Sequence, residues 1–243
     1  MRTLLFCLPY AGGGASLYRG WPATALPGVT VEPVQLPGRE ERYGEPLPRD
    51  LDEVMDEVVT RIGEVREPGD EVALFGHSYG AVLAFETARR LIARGEAPPR
   101  WLFVSGSPAP DIPVERPSAD LDDDDFVSRV EQIAGYRHPA LADPDLREVL
   151  LPVLRADVAV HESYRVRVSS PLPVPVTAVR GRDDHLVSAA DCAGWAPVTD
   201  AGFEVAELPG GHMYLAEDPA ALHELILGTL TGATAGKRAD HAR

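Results

Sequence analysis

The N-terminal half of the chain carries the segment Val72-Ala73-Leu74-Phe75-Gly76-His77-Ser78-Tyr79-Gly80-Ala81. Its four apolar residues are too few for a helix and run straight into a G-x-S-x-G pattern, after which a periodic apolar segment begins. A strand, a sharp turn and a helix in this order form a nucleophile elbow, in which the serine hydroxyl projects above the sheet. Gly76 and Gly80 are expected where a side chain would collide with the neighbouring strand and helix. Ser78 is therefore the candidate nucleophile.

The residues after the elbow predict an amphipathic helix. Apolar residues recur at steps of three and four and form one buried face: Ala81, Ala84, Phe85, Ala88, Leu91 and Ile92. Gly95 is the expected stop signal. The free N–H groups at the start of this helix point to where negative charge would develop on a substrate attacked by Ser78.

Composition limits the classes of protein and partner. The chain has 243 residues with a hydrophobic fraction of 44%, enough for one domain, or one domain with an insertion. Its net charge of −15 argues against nucleic acid or an anionic membrane as the main partner. Cys7 and Cys192 lack metal-binding spacing, and the apolar neighbours of Cys7 predict a buried thiol in a reducing compartment. The N-terminal apolar run is too short for a signal or a membrane span, so we expect a cytoplasmic protein.

Short apolar runs alternate with amphipathic segments along most of the chain. Strands are expected at Thr3–Leu8, Val29–Leu36, Val72–Phe75, Trp101–Val104, Val174–Val179 and Phe203–Leu208, and helices at Ser16–Leu26, Leu51–Val65, Ser188–Ala196 and after Pro219, with Asp218 as its cap. This alternation predicts an α/β fold with a mostly parallel central sheet flanked by helices. The ligand site of such a sheet lies at the carboxyl ends of its strands.

The alternation is interrupted between the fourth and fifth strands. Two helical patterns, at Phe126–Ala134 and Asp145–Tyr164, are bracketed by proline-rich segments. We expect a helical lid insertion over the site at about residues 113–170 of a single domain spanning 1–243. A helical layer that does not move is the alternative. Residues 232–243 cannot pack and are expected to form a disordered tail.

Two loops near the N-terminus are candidates for contact with the site. Pro9-Tyr10-Ala11-Gly12-Gly13-Gly14 could cradle a phosphate, but it matches neither the dinucleotide fingerprint nor the P-loop. A loop after an early strand supplies the second oxyanion-hole N–H in G-x-S-x-G folds, so we favour Ala11 as that donor. The polar loop Leu36–Arg42 is expected, from its composition alone, to lie on the surface.

A serine nucleophile needs a base and a group that orients the base, in the chain order serine, acid, histidine. His212 lies on a glycine-rich loop after the last strand, whereas the other six histidines occupy less suitable positions: His77, His138, His161, His185, His223 and His241. Asp183 and Asp184 both follow the fifth strand. Counting from the turn at Gly181 favours Asp184 as the acid.

Several segments resemble type II thioesterases, the α/β-hydrolase enzymes associated with modular polyketide and nonribosomal peptide synthetases. The matching segments are Pro9–Gly13, Gln35–Arg42, Gly76–Gly80, Leu151–Asp157 with Glu162 and Tyr164, and Gly210–His212. They extend over nearly the whole chain. The L-P-G-R-E and L-P-x-L-R-A-D segments are specific to that family, whereas the elbow is shared by all α/β-hydrolases.

The resemblance implies hydrolysis of acyl groups from the phosphopantetheine arm of acyl or peptidyl carrier proteins, which clears misloaded and stalled chains. It implies Ser78, Asp184 and His212 as catalytic residues, with the backbone N–H groups of Ala11 and Tyr79 as the oxyanion hole. No metal or cofactor is required, and a monomer is expected. Carrier proteins are usually acidic, so their charge would slow encounter with this acidic chain.

Three other functions use the same pattern. A carboxylesterase acting on small free esters differs only in its pocket and lid. An acyltransferase or cyclase hands the acyl group to an alcohol or amine in place of water. A catalytically silent hydrolase fold that serves as an interaction module is disfavoured by the intact set of Ser78, Asp184 and His212.

Overall fold

The computed structural model describes residues 2–112, 118, 121–134, 139–166 and 170–232. Six parallel strands within these residues form one sheet in the order β2-β1-β3-β4-β5-β6. The strands are β1 Thr3–Leu8, β2 Val29–Pro33, β3 Glu71–His77, β4 Trp101–Ser105, β5 Val176–Gly181 and β6 Phe203–Leu208. The prediction of an α/β fold with a parallel sheet is therefore confirmed.

Helices pack on both faces of this sheet. They are α1 Ser16–Arg19, α2 Leu51–Val65, α3 Tyr79–Ala93, α4 Asp123–Ala134, α5 Pro144–Ser163, α6 Ala189–Ala193, α7 Tyr214–Glu217 and α8 Ala220–Thr231. Side chains alternate across β1, so that Leu4 and Phe6 pack with α2 and α3, while Leu5 and Cys7 pack with α1 and α8. Both faces are covered, which explains why the strands read as unbroken apolar runs.

Two elements are shorter than their sequence patterns suggest. The first helix ends at Arg19 rather than at Leu26, because Pro22 disfavours helical backbone at the preceding residue. The second strand ends at Pro33 rather than at Leu36, and its register with β1 ends at the pair of Cys7 and Pro33. The Val34 N–H still donates to Cys7 O at 2.9 Å, so the missing N–H of Pro33 does not interrupt the pairing. In both elements the apolar pattern continues beyond the regular structure.

The two helices predicted between β4 and β5 are confirmed, since α4 and α5 lie close to the predicted bounds. This segment has an apolar cluster of its own, formed by Phe126, Val127, Leu141, Leu151 and Leu154. The end of α5 is attached to the core, because the Tyr164 hydroxyl donates to Glu86 Oε1 at 2.7 Å. Two predicted features fall wholly or mostly on residues outside the described ones: the part of the proline-rich entry at 113–117, and the predicted tail at 232–243, of which only Gly232 is described.

The thiols and the last helix also bear on the sequence analysis. Cys7 and Cys192 are both free and buried, as predicted for Cys7, and burial raises the pKa of the Cys7 thiol. The last helix begins at Ala220 with Pro219 as its cap residue. Asp218 contributes through its side chain, which accepts from the Ala220 N–H at 3.1 Å.

Candidate active site

Ser78 lies between β3 and α3 in the backbone conformation of a nucleophile elbow. Its φ of 55° and ψ of −121° are rare for a residue with a side chain, and its own side chain stays partly accessible. A Cβ at Gly76 would collide with the Gly80 carbonyl, and a Cβ at Gly80 would collide with the Leu8 carbonyl. The two glycines of the motif therefore allow the strand and helix to approach closely, as the sequence predicts.

Asp184 lies in the loop that follows β5 and is buried, whereas its neighbour Asp183 is exposed. One carboxylate oxygen of Asp184, Oδ1, accepts from the Leu186 N–H at 2.8 Å and the Val187 N–H at 3.2 Å. The other oxygen, Oδ2, lies 2.8 Å from His212 Nδ1. The structure thus places Asp184, and not Asp183, against the candidate base.

The environment keeps Asp184 ionised. Burial by itself would raise the pKa of this carboxyl, but the hydrogen bond and charge of His212, with the two backbone N–H groups, outweigh burial and lower it. An ionised Asp184 accepts a hydrogen bond from the N–H at His212 Nδ1, which leaves Nε2 as the nitrogen free to take a proton. The pair therefore has the protonation state and the histidine tautomer that a general base and its orienting acid require.

Backbone hydrogen bonds join the loop after β5, which contains Asp184 and is here called the acid loop, to the loop after β6, which contains His212. The Arg182 N–H donates to Leu208 O at 2.8 Å, and the Asp183 N–H donates to Gly210 O at 3.0 Å. A Cβ at Gly181 would collide with the carbonyl oxygens of Gly210 and Gly211, so the two loops can touch only because residue 181 is glycine. The ends of β5 and β6 thereby bring Asp184 and His212 to the same edge of the sheet as Ser78.

His212 approaches the elbow through its neighbour. Its ring centroid lies 4.9 Å from that of His77, the residue before Ser78. Among the described residues the Ser78 hydroxyl makes no hydrogen bond to His212. Hydrogen bonds of this kind are often long or poorly aligned in a free enzyme and tighten when substrate binds.

His77 packs beneath His212 and supports the site, a role that no sequence motif signals. Its Nδ1 lies 2.9 Å from Ser105 Oγ, which in turn lies 2.7 Å from the Tyr214 hydroxyl. Burial, and then the neighbouring His212, lower the pKa of His77 well below its ordinary value. A neutral His77 places no positive charge beneath His212, so it does not oppose protonation of that base.

The remaining histidines lie away from this contact. The His161 ring, on α5, is 5.5 Å from the Tyr79 ring, and burial lowers its pKa. His223, on α8, packs 4.6 Å from Trp21, and His185 is exposed on the acid loop. His138 and His241 lie outside the described residues.

The glycine-rich loop of residues 9–14, here called the Ala11 loop, is tied to two distant segments. Asp157, on α5, accepts from the Gly12 N–H at 2.8 Å through Oδ2. Arg39 donates from Nη1 to the same oxygen at 2.5 Å and to the Gly13 carbonyl at 3.1 Å, and from Nη2 to Asp157 Oδ1 at 2.9 Å. The side chains of Arg39 and Asp157 are only 4% and 3% exposed.

This ion pair corrects the sequence-based expectation that Leu36–Arg42 lies on the surface. Residues 36–39 are buried, and only Glu40 and Glu41 of the segment are exposed. The burial of Arg39 depends on a carboxylate that lies 118 positions away along the chain. Residue composition could not reveal that partner, although Arg39 and Asp157 fall in the two segments that are specific to the family, L-P-G-R-E and L-P-x-L-R-A-D.

A small cavity of about 90 Å³ adjoins the Ala11 loop. Its lining comes from three segments: the loop itself through Gly12 and Gly14, the segment from Gly38 to Tyr43, and α5 through Val149, Leu150 and Val153. Helix α5 therefore forms one wall of the space beside the candidate oxyanion donor. The structure shows no group of three or more potential metal ligands within its described part, and none of its described helices is long and apolar enough to span a membrane.

A parallel sheet, a strained serine at the elbow and a histidine–carboxylate pair at the same edge define a serine hydrolase of the α/β type. A family model described as "Thioesterase domain" matches residues 3–230, so the chain belongs to that family and is an enzyme that acts on thioesters.

Individual relatives agree with this assignment. The chain is 37% identical over 211 residues to thioesterase PikA5 of Streptomyces venezuelae, covering 87% of this chain and 75% of that protein. It is 35% identical over 226 residues to the gramicidin S biosynthesis protein GrsT of Aneurinibacillus migulanus, covering 91% and 86%. A solved structure of RedJ, a thioesterase from the prodiginine pathway of Streptomyces coelicolor, superposes with a TM-score of 0.83 at 36% identity, covering 94% and 84%.

Proposed function

We propose that this thioesterase hydrolyses acyl groups from the phosphopantetheine arm of acyl or peptidyl carrier proteins and so clears misloaded or stalled chains in polyketide or nonribosomal peptide biosynthesis. PikA5 is named as a thioesterase, GrsT as a gramicidin S biosynthesis protein and RedJ as a thioesterase of the prodiginine biosynthetic pathway. The observation that carries the proposal is the contact of 2.8 Å between His212 Nδ1 and Asp184 Oδ2 at the sheet edge where Ser78 lies.

The proposed reaction has two halves. Ser78 Oγ attacks the thioester carbonyl while His212 Nε2 takes the hydroxyl proton, and Asp184 stabilises the resulting imidazolium. The oxyanion is held by the N–H groups of Tyr79 and Ala11, and its collapse breaks the C–S bond as His212 returns the proton to the departing thiolate. Water then attacks the acyl-enzyme with His212 again as base, which releases a carboxylic acid and restores Ser78. No step needs a metal or a cofactor.

The insertion is proposed to cover the site as a lid at about residues 113–170 of one domain. The second half of α5 and the residue after the helix are attached to the core, since Asp157 and Tyr164 bond to Arg39 and Glu86. The first half of α5 is less tightly held, because Leu146 and Val149 are exposed and Arg147 pairs with the exposed Asp124. Opening is therefore assigned to α4 and the first half of α5. Hydrogen exchange that is equally slow in both halves of α5 would favour a fixed layer.

The reaction is tested with two matched substrates and two matched variants. An acyl group on a carrier protein and the same acyl group as a small oxygen ester are each incubated with the enzyme, and the acid released is measured. We expect the thioester to be preferred, and an equal or greater rate on the oxygen ester would favour a carboxylesterase. An ester or amide formed in place of the acid, when an alcohol or amine is supplied, would favour an acyltransferase.

The nucleophile is tested by mass spectrometry of the intact protein after incubation with the acyl thioester. Wild type is expected to gain the mass of one acyl group, and Ser78→Ala is expected to gain none and to lose about 10⁶-fold in kcat. Ser163→Ala, the same change at an exposed serine of α5, is the control and should behave as wild type. Acylation of Ser78→Ala would assign the nucleophile to another residue.

Carrier-protein encounter is tested by salt. Since the chain has a net charge of −15, an acidic carrier protein is expected to be repelled, and salt should raise kcat/KM by screening that repulsion. Strong inhibition by salt would instead indicate attraction through a local basic surface. The oligomeric state, proposed as a monomer, is measured by light scattering in the same buffers.

A further inference from the structure

The buried pair of Arg39 and Asp157 contacts two peptide groups of the Ala11 loop, the one that joins Ala11 to Gly12 and the one that joins Gly13 to Gly14. Asp157 Oδ2 accepts from the Gly12 N–H, and Arg39 Nη1 donates both to that oxygen and to the Gly13 carbonyl. The carboxylate therefore fixes one backbone donor of the loop, and the guanidinium fixes one backbone acceptor. The bidentate geometry leaves little rotational freedom to either side chain.

These contacts bear directly on residue 11. The Gly12 N–H belongs to the peptide plane that also contains the Ala11 carbonyl, so holding this N–H sets the backbone rotation that follows the Ala11 α-carbon. Gly12 has a φ of 76°, and a glycine in this region can leave it at little cost. The loop thus has a flexible residue, Gly12, beside the candidate oxyanion donor. The Arg39–Asp157 pair, here called the clamp, holds that residue from outside the loop.

Stability alone does not account for a buried ion pair of this kind. Removing two charges from water costs about as much as their attraction returns, and an apolar pair of similar volume is often equally stable. The insertion also has ion pairs that only join its own helices, such as Arg155 with Asp123 at an exposed site. Arg39 and Asp157 differ from these, because their hydrogen bonds end on the backbone of the Ala11 loop.

We propose that Arg39 and Asp157 are positioning residues for the oxyanion hole, which hold the Ala11 loop so that the Ala11 N–H faces the substrate carbonyl. This inference rests on the proposed function, in which Ala11 is one of the two oxyanion donors. Because Asp157 belongs to α5, it also makes the seating of the insertion a condition for a correctly aimed oxyanion hole. A misplacement of about 1 Å in such a group costs about 100-fold in rate.

The decisive variant replaces both charges at once. Arg39→Met with Asp157→Leu removes both side chains without leaving a buried charge unpaired, so the free energy of unfolding is expected to fall only by the loss of the hydrogen bonds to the Gly12 N–H and the Gly13 carbonyl. With a small acyl thioester as substrate, kcat should fall about 100-fold while KM changes less than about 3-fold, because the oxyanion forms only in the transition state. Asp123→Asn, which breaks the Arg155 pair, is the control and should retain wild-type kcat.

A second readout measures the loop itself. Hydrogen exchange of the backbone at residues 9–14 should be faster in the double variant than in wild type and unchanged in Asp123→Asn. Arg39→Lys, which keeps the positive charge but loses the bidentate contact, gives an independent test if the double variant does not fold, and should show the same loss in kcat to a smaller extent.

The outcomes separate the two proposals. The wild-type rate on the thioester tests the proposed function by itself, and the ratio of variant to wild-type rates tests the positioning role. Faster loop exchange with unchanged kcat would overturn the positioning role, and so would a loss confined to KM. A matching loss of kcat in Asp123→Asn would also overturn it, because the effect would then come from loosening the insertion in general.

Discussion

The Ser78 elbow and the Ala11 loop are expected to serve the same step, yet the chain builds them in different ways. The elbow is held by its own neighbours, since Gly76 and Gly80 let β3 meet α3 and the Ser78 N–H donates to Ser105 O at 2.8 Å on the adjacent strand. The Ala11 loop is held by Arg39 and Asp157, which come from two other segments. One half of the site is thus fixed by local backbone geometry and the other by charged side chains from a distance.

The difference decides how each half should fail. A strained backbone is maintained by packing around it, so damage there lowers the free energy of unfolding. A clamp made of a buried ion pair adds little net stability, so its removal should appear mainly in the rate. Substitutions in the two halves should therefore separate stability from catalysis.

After loss of the nucleophile itself, the largest effect is expected from Asp184→Asn. This residue lies in the loop after β5, which is also held by local backbone contacts and so adds a third region to the comparison. The asparagine side chain fits the same space but favours the wrong tautomer of His212, and kcat is expected to fall about 10⁴-fold with unfolding almost unchanged. Steady-state kinetics on an acyl thioester and a urea titration check both parts. Asp183→Asn, at the exposed neighbour, is the control, and a comparable loss there would reassign the acid.

A smaller effect, on stability, is expected from Gly76→Ala, which breaks the local half. Its Cβ would collide with backbone atoms of Gly80 that cannot rotate away, so the free energy of unfolding should fall by about 3 kcal/mol. Urea unfolding measures this loss. Gly63→Ala is a matched control with the opposite sign, since it lies in α2 with no atom within 4 Å of the new Cβ and should stabilise by up to about 1 kcal/mol.

The smallest effect concerns His77 beneath the elbow. Its pKa is lowered well below the ordinary value in the folded state, so between that ordinary value, about 6.5, and the folded pKa only the unfolded chain binds the proton. The free energy of unfolding is therefore unaffected by this titration above about pH 6.5, and it falls as the pH drops below that value, because protonation then favours the unfolded chain. His77→Asn should reduce the stability difference between pH 6.5 and 5.5 by about 1 kcal/mol in urea titrations. An equal reduction in His185→Asn, at an exposed histidine, would contradict this account.

Local signals explain what the sequence could predict. The elbow, the alternation of strands and helices, and the order of Ser78, Asp184 and His212 all depend on short segments whose residue types restrict the backbone. The end of β2 at Pro33 shows the limit of apolar patterns, since Val34 and Leu36 continue the pattern but lie beyond the strand. The pairing of Arg39 with Asp157 and of His77 with Ser105 depends on contacts that form only after the chain has folded.

The ion pair between residues 39 and 157 also sets a rule for engineering. The insertion is the natural segment to exchange between related enzymes when a different acyl preference is wanted. A chimera could take α5 from a protein that lacks a carboxylate at position 157. The Arg39 guanidinium would then be buried without its ion-pair partner, however well the other residues of the insertion fit. The segment around residue 39 should therefore be transplanted together with the insertion, as one unit inherited from one parent.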